Sequence, residues 1–507
     1  MQPPLSNTAG SLPKVRIIGF TGHRHLRNPA AVGEAIRAEL ATLRQEGKEL
    51  IAISSIAIGA DTVFAREVLR AGIKWIVVLP MAREVFRDDF SPEEWAAAEQ
   101  LIAQASEIRI LRGTDRPQAY VDCGKATVDD SDSLFAVWDG NPARGEGGTA
   151  EIITYAQMLG RKLTLFRVDG ARVEKVEPPT GSLAESEAED ILKMMGPPGA
   201  LPAPPQRLVD HFTNCDDMAT KMAPNFRSHT LWMAQLHLAA TLVAGLALSI
   251  DANRFELPQI DMVILSFVKV ACVSFALWIL LSLRRRRTHE IWLEHRLAAE
   301  YCRSMLATWH CRDFIEPASF QEVEELKGLA QATLFLRLEK GRGEPIDIQN
   351  FRTAYAHNRV MTQLNYFRRE WDKAKKKAEP LRTRYRFYTY SAVVFSGLLF
   401  LHRLVEVRFN WFDFWPELRQ AGMVLLEVYP LLFPALATFT ITRMAIDEVD
   451  RRLGRFEDLK EKMRVTLIDL YYCGSWESLS RSVQRTEKIL FNEVREWFSI
   501  SWYSPNE

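Results

Sequence analysis

Three short loops hold the residues of this sequence that are best suited to binding a phosphate or a nucleotide. Each loop combines glycines, which let a backbone approach a ligand closely, with hydroxyl, imidazole, guanidinium or carboxylate side chains. Where such a loop opens a helix, its backbone N–H groups favour an anion. The candidate ligand-binding residues are Gly19, Thr21, Gly22, His23, Arg24, Ser54, Gly59, Ala60, Asp61, Asp139, Gly147, Gly148, Thr149 and Glu151.

The elements that position these loops are short apolar strands alternating with helical patterns over residues 14–168. This alternation predicts an α/β fold with a doubly wound parallel sheet. Ligands of such sheets bind beyond the carboxyl ends of the strands, so we expect the three loops to meet there around a nucleotide or phosphate-sugar ligand. The strands are predicted at Val15–Phe20, Leu50–Ser54, Trp75–Leu79, Ile108–Leu111, Ser133–Val137 and Leu163–Arg167.

Four apolar stretches in the second half of the chain are long enough to cross a membrane. A helix of about 20 residues spans a hydrocarbon core of ~30 Å. The four predicted transmembrane helices form two hairpins, with cytosolic helices after each, and Phe387–Val405 is the least apolar of them. The other three are Leu231–Ile250, Met262–Leu283 and Met423–Thr442.

Charge predicts the orientation of these hairpins. The short connections 251–261 and 406–422 are net acidic, whereas basic runs such as Arg284–Arg287 flank the other ends of the segments. Because positive residues stay on the cytosolic side, we expect a multi-pass membrane protein with both termini in the cytosol. Lys269 and Glu427 are charges within the segments. They either snorkel or pair structurally, or they line a pore and gate it.

Composition narrows the class of partner. The chain has 64 Lys and Arg residues against 64 Asp and Glu residues, which gives no argument for nucleic acid. Its six cysteines are scattered without a CxxC pair, so neither a metal site nor a disulfide framework is predicted. Residues 1–13 are polar and predicted to be disordered. Residues 169–206 are proline-rich and predicted to be a linker, with a short helix near Glu185–Met195.

The loop motifs resemble the SLOG superfamily, a Rossmann-like group of the DprA and LOG type. The resemblance covers residues 14–168 and rests on four motifs: GFTGHR at 19–24, SSIAIGAD at 54–61, LP at 79–80, and WDG with GGTAE at 138–151. It implies a pocket for a nucleotide or a nucleotide-derived messenger. Some members of the family release the base from nucleoside monophosphates, and others only sense their ligand.

The hydrolases of that family carry a PGGxGTxxE motif whose glutamate acts in catalysis. This sequence lacks the proline, and Glu151 follows Thr149 by two residues instead of three. The departure favours sensing over hydrolysis. Glu151 and Asp61 remain the candidate catalytic residues if the protein is an enzyme, and no cofactor is required by the sensing interpretation.

The two helical units, 207–345 and 350–502, look like SLATT domains, which are two-helix membrane modules found beside SLOG domains. The residues that carry this resemblance are Arg296, Ala299, Glu300, Trp309 and Tyr366, together with the basic run before the second hairpin. The resemblance implies a membrane-disrupting or pore-forming effector of prokaryotic conflict systems, including anti-phage defence.

The patterns and the two resemblances together predict a nucleotide-sensing membrane effector that acts as a homo-oligomer in the lipid bilayer. The resemblances further imply the prokaryotic cytoplasmic membrane as its location and a nucleotide-messenger synthase encoded nearby as a partner. The first alternative is a membrane-anchored nucleotide or phosphoribosyl hydrolase of the LOG type. The second is a scaffold whose hairpins only anchor the sensor. The degraded hydrolase motif argues against the first, and the presence of two hairpins argues against the second.

Overall fold

The computed structural model describes two parts, an α/β part followed by a helical part. The residues that it describes are 13–111, 113, 115–142, 147–170, 172–178, 187–252, 259–286, 288–313, 315, 326–340, 346–409 and 416–503. Nearly all of the predicted N-terminal disordered segment, residues 1–12, lies outside them.

The α/β part is built on a seven-stranded sheet in the order β4-β3-β2-β1-β5-β6-β7. All neighbouring strands are parallel except β6 and β7. The strand order reverses between β1 and β5, which makes this the topological switch point. The strands are β1 Val15–Gly22, β2 Glu49–Ser54, β3 Lys74–Leu79, β4 Glu107–Ile110, β5 Ser133–Trp138, β6 Lys162–Asp169 and β7 Arg172–Val176.

Helices cover both faces of this sheet, as the predicted doubly wound fold requires. Successive residues of a strand point to opposite faces. In β5, Phe135 and Val137 are buried in one core, and Leu134 and Ala136 in another. The helices of this part are α1 Pro29–Arg44, α2 Ala60–Arg70, α3 Arg83–Phe86, α4 Pro92–Ile102, α5 Arg116–Asp129 and α6 Thr149–Met158.

The helical part contains very long helices. A π-helical turn, residues 356–361, joins α12 to α13. The bounds are α7 Glu187–Met195, α8 Gln206–Ala252, α9 Gln259–Arg286, α10 Thr288–Thr308, α11 Lys327–Lys340, α12 Ile348–Tyr355, α13 Thr362–Phe409, α14 Pro416–Ile446, α15 Val449–Tyr471 and α16 Trp476–Tyr503.

The segment predicted to be a linker is in part folded into both neighbours. β7 pairs antiparallel with β6, so the sheet extends to Val176 and past the expected boundary at 168. The short helix predicted near 185–195 is present as α7. Its apolar side chains Ile191, Leu192 and Met195 are buried in one core with residues of β5, α5, α6, α12, α13, α15 and α16. These stretches are therefore not a free tether between the two parts.

Three stretches of helix are long and apolar enough to cross a membrane: Ser228–Ala247, Val263–Ser282 and Val428–Tyr471, the last beginning in α14. Only 6–11% of the residues in their most apolar windows are buried, so most of these side chains do not lie in a protein core. They indicate a membrane protein. Among the described residues, the fourth predicted segment, Phe387–Val405 in α13, is not one of the three.

A buried ion network joins the two helical units predicted from the sequence. Arg359, in the π-helical turn, donates from Nε and Nη2 to the two carboxylate oxygens of Glu487 in α16, at 3.0 and 2.7 Å. Its Nη2 also donates to Glu300 in α10 at 3.1 Å. The hydroxyls of Tyr355 and Ser304 each donate to Glu487 at 2.6 Å. The helices of the two units thus pack as one body around these charges.

Replacing Glu487 with glutamine should strongly destabilise this bundle, because it leaves the buried Arg359 short of its main counter-charge. Breaking a buried pair in this way costs about 3–5 kcal/mol. The matched control is Glu461→Gln in α15, which removes an exposed pair with Arg464. Losing that pair should cost about 1 kcal/mol or less. Thermal unfolding of the purified full-length protein tests this, and equal losses for the two variants would contradict it.

Candidate functional site

A cavity of about 970 Å³ lies at the switch point, beyond the carboxyl ends of β1 and β5. The loop from β1 to α1, the loop from β5 to α6, and one side of α5 form its walls. Its volume is at the upper end of the range typical of small-molecule pockets. The predicted residues that line it are Thr21, Gly22, His23, Arg24, Asp61, Asp139, Gly147, Gly148 and Thr149.

The first loop is held in place by contacts across the switch point. His23 continues the pairing of β1 with β5 through its backbone N–H, which donates to Val137 O at 3.2 Å. Its Nε2 lies 2.9 Å from Oδ1 of Asp139 and 3.0 Å from the backbone nitrogen of that residue. Gly22 packs against α2, and a Cβ there would lie 2.4 Å from Cβ of Ala60. Only glycine therefore fits at this position.

Arg24 brings a positive charge to the cavity wall. Its guanidinium lies over the ring of Tyr120 in α5, 5.3 Å from the ring centroid. This is a cation–π contact. The Tyr120 hydroxyl is buried and has no hydrogen-bond partner among the described residues. His25 and Arg27 lie in the same wall. This side of the cavity is therefore suited to an anionic group.

The second loop mainly supports the first. Ser54 is fully buried and accepts a hydrogen bond from Trp75 Nε1 at 3.0 Å. Gly59 has φ +90°, and a Cβ there would lie 2.1 Å from Arg24 O. The N–H of Ala60 donates to His23 O at 3.0 Å, so it is already bonded within the protein. Ser54, Gly59 and Ala60 are not among the described residues that line the cavity.

Asp61 is the exception in this loop, because it is buried and also lines the cavity. Its Oδ2 accepts a hydrogen bond from the N–H of Ala57 at 3.1 Å, while Oδ1 is buried and has no hydrogen-bond partner among the described residues. Burial raises the pKa of the Asp61 carboxyl to about 7, against the opposing effects of the Ala57 N–H and Arg24. Near neutral pH the group can therefore either donate or accept a hydrogen bond.

The third loop ends at the N-terminus of α6, which Gly148 precedes without a side-chain capping bond. Gly147 has φ +72°, and its N–H donates to Oε2 of Glu151 at 2.7 Å. Glu151 thus fixes the loop and is not among the described residues that line the cavity. Asp139 stays ionised: burial raises its pKa, but hydrogen bonds from Asn141 and contact with His23 outweigh this and lower the pKa to about 2.

The remaining predicted residues lie away from this cavity. Gly19 is within β1, where a Cβ would lie 2.7 Å from Ser131 Oγ, so it serves close packing. Lys269 lies in α9 with an exposed side chain. Glu427 lies in α14, at a position outside the described side chains. The predicted roles of these two intramembrane charges, in pairing or in gating, therefore stay predictions.

Several residues that line the cavity were not predicted from the sequence, and four of them belong to α5. Its inner face contributes Tyr120, Cys123, Gly124 and Thr127 to the wall. The missed signal was Pro117, in the first turn of this helix, because proline is common at helix starts. The β6–β7 hairpin also reaches the cavity, with Asp169 and Gly170.

No protein-family model matches this chain, and no curated protein is significantly similar to it. Within the described residues, no group of three or more His, Cys, Asp or Glu side chains is placed to hold a metal ion. The chemistry of the site therefore has to be inferred from the charges and hydrogen-bonding groups around the cavity.

Asp61→Asn should stabilise the protein more at pH 8 than at pH 5. Burial holds the pKa of Asp61 at about 7, above its ordinary value of 3.8, so the folded chain binds a proton that the unfolded chain lacks. Stability then falls as pH rises from about 4 to about 7, by a total on the order of 4 kcal/mol. Asparagine escapes this cost because it has no charge to bury.

Thermal unfolding of the full-length protein at the two pH values measures this difference. The control is Asp88→Asn, whose side chain is exposed and whose effect should be small at both. If Asp61→Asn raised the thermal stability equally at the two pH values, or more at pH 5, the raised pKa assigned to Asp61 would be contradicted.

Proposed function

We propose that this protein is a nucleotide-sensing membrane effector: a nucleotide binds the switch-point cavity and changes the arrangement of the apolar helices, which permeabilises the membrane. The observation that carries the proposal is the occurrence, in one chain, of a charged cavity at a Rossmann-like switch point and helices apolar enough to cross a membrane.

The groups around the cavity suit the parts of a nucleotide. The N-terminus of α6 and Arg24 border the cavity, and both favour a phosphate. Asp61 and Asp139 offer carboxylate oxygens to a ribose hydroxyl or to an exocyclic amine, and Tyr120 offers a buried hydroxyl. This distribution agrees with the resemblance to SLOG domains, whose pockets take nucleotides or messengers derived from them.

The hydrogen bond that Glu151 makes within the protein favours sensing over hydrolysis. The family resemblance assigns catalysis to a glutamate near this position, but Glu151 accepts a hydrogen bond from Gly147 N–H and supports the loop. Of the two candidate catalytic residues, Asp61 alone lines the cavity within the described residues. A membrane-anchored hydrolase remains the alternative, and its product would be a free base.

The proposed membrane part has four spans in two hairpins, and α13 supplies the least apolar span. Support comes from the packing of α13 on α14: the ring centroid of Phe395 lies 4.9 Å from that of Tyr429 and 5.3 Å from that of Phe433. On the same helix, Tyr390 is 70% exposed and Val393 is 69% exposed. Such exposure is expected for side chains that face lipid from a helix. The orientation with both termini cytosolic follows from the basic flanks.

The effector is favoured over a passive anchor because the sensor and the helices share a core. Residues of α5 and α6 are buried in one cluster with residues of α12, α13, α15 and α16. Close-packed interiors transmit strain, so a change at the cavity has a rigid path to the membrane. Four helices from one chain enclose little space, and a pore would therefore need several copies. A homo-oligomer in the prokaryotic cytoplasmic membrane, acting in defence as SLATT-type effectors do, is part of this proposal.

Nucleotide-dependent leakage should be measurable with the full-length protein in dye-loaded liposomes. The probes are AMP, ADP-ribose and NAD, which differ in the number of rings and phosphates that they bring to the cavity. We expect at least one of them to cause leakage, and Arg24→Ala to raise the concentration needed by tenfold or more, since a charge-assisted contact is worth about 1.5–3 kcal/mol. The matched control is Arg109→Ala, a half-exposed arginine of β4 paired with Glu107.

Leakage that is independent of every probe, or absent with all of them, would overturn the effector. Release of free base in the same samples would favour the hydrolase instead. If Arg109→Ala raised the nucleotide concentration needed for leakage as much as Arg24→Ala does, the effect would not arise at the cavity.

A further inference from the structure

We infer that α5 is the element that transmits the state of the cavity to the membrane helices, through polar contacts between its outer face and the corner that joins α15 to α16. This inference rests on the proposed function and adds its route of regulation. The corner is defined here as residues 469–482. Its contact with Gln118 of α5 connects positions 356 residues apart in the chain, and the sequence patterns do not indicate it.

The two faces of α5 carry two separate sets of side chains. Tyr120, Cys123, Gly124 and Thr127 recur at intervals of three and four and line the cavity. Gln118, Asp122 and Lys125 recur at the same intervals and contact the corner. At about 100° per residue the centres of the two sets lie about 180° apart around the helix axis. A ligand that displaces α5 from the cavity side must therefore also move the side chains that contact the corner.

Gln118 makes the most extensive of these contacts. Its Oε1 accepts a hydrogen bond from the N–H of Gly474 at 2.6 Å, and its Nε2 donates to Tyr472 O at 3.0 Å. The residue is only 3% exposed. A Cβ at position 474 would lie 2.7 Å from Oε1 of Gln118, so the corner approaches α5 as closely as a glycine allows. The side-chain amide of Gln118 thus forms hydrogen bonds with the backbone of the corner. A movement of α5 or of the corner strains these hydrogen bonds.

Two charged contacts flank this amide. Asp122 pairs with Arg481 and accepts a hydrogen bond from Ser478 Oγ at 2.9 Å. Lys125 pairs with Asp469, and both residues are buried. Buried, hydrogen-bonded charges tolerate little displacement, because a lost partner leaves a charge without compensation. The interface is therefore a stiff connection.

The corner connects to the membrane through a continuous path. α15 begins at Val449, shortly after α14 ends at Ile446. The junction contains Glu448, whose φ is 50°. That left-handed conformation is uncommon for a residue with a side chain, and it sets the direction of the chain at the junction. Movement of the corner thus reaches α14, where one of the spans begins. By thermodynamic linkage, the membrane arrangement must also alter ligand affinity.

Hydrogen–deuterium exchange of the full-length protein in lipid nanodiscs tests this route, with binding measured in parallel by calorimetry. The probes are again AMP, ADP-ribose and NAD. We expect a bound probe to change amide exchange across the corner by threefold or more in the wild-type protein. In Gln118→Ala the probe should still bind, and the change at the corner should fall to less than half. The control is Gln104→Ala, an exposed glutamine whose amide donates to Gln100 O.

Asp122→Asn provides a second variant in case Gln118→Ala fails to fold, because it keeps the volume of the side chain and removes only the charge that pairs with Arg481. Binding of a probe without any change at the corner would overturn the inference and leave the proposed function standing. An undiminished response in both variants would overturn it too. If no probe binds, both proposals fail.

Discussion

The polar interface between α5 and the α15–α16 corner is the constraint on which the rest of this account depends. Together with the shared apolar core, it joins the α/β part to the helical part, because Gln118 and Lys125 bury their polar groups against the corner. A buried polar group that loses its partner costs about 1–3 kcal/mol, and a buried charge costs more. The interface therefore resists any rearrangement that does not move its two sides together.

In the proposed function, this stiffness carries a change at the cavity to the helices that are apolar enough to cross a membrane. A ligand can shift a conformational equilibrium only through its different affinity for the two states. The proposed function locates this difference in the cavity, where Arg24, Asp61 and Tyr120 line the wall and would gain contacts from a bound nucleotide. In the membrane, helix packing lacks a strong hydrophobic driving force, so alternative arrangements of spans lie close in energy. Under this proposal, a modest change at α5 favours one of these arrangements.

Local patterns in the sequence predicted the sheet, the switch-point loops and the three strong apolar segments, because each depends on residues near one another in the chain. Nine of the fourteen predicted binding residues line the cavity. The five others, such as Gly59 and Glu151, have the right residue types but use them for packing or to hold neighbouring loops. Residue type alone does not distinguish a glycine that lets a ligand approach from one that lets another segment of the backbone pack closely.

The helix α5 and the packing of the proline-rich segment could not be predicted from the sequence for a different reason. α5 was missed because several of its polar positions, such as Gln118 and Lys125, are buried together with its apolar ones. The proline-rich segment was predicted to be a tether, yet β7 pairs with the sheet edge and α7 packs into the shared core. The position of α7 depends on helices far along the chain, such as α15. Local hydrophobic periodicity does not indicate such distant packing partners.

Whether the ligand state sets the arrangement of the helices can be measured most directly as a distance between α9, which is apolar enough to cross a membrane, and α13, which supplies a proposed span. Spin labels at Val270→Cys in α9 and Val393→Cys in α13 are suitable, because both side chains are exposed. Cys272 is replaced by serine, since the other cysteines are buried. In nanodiscs, pulsed electron resonance with and without saturating ADP-ribose, or whichever of AMP and NAD binds, should give two different distance distributions. Identical distributions with the nucleotide bound would contradict the account.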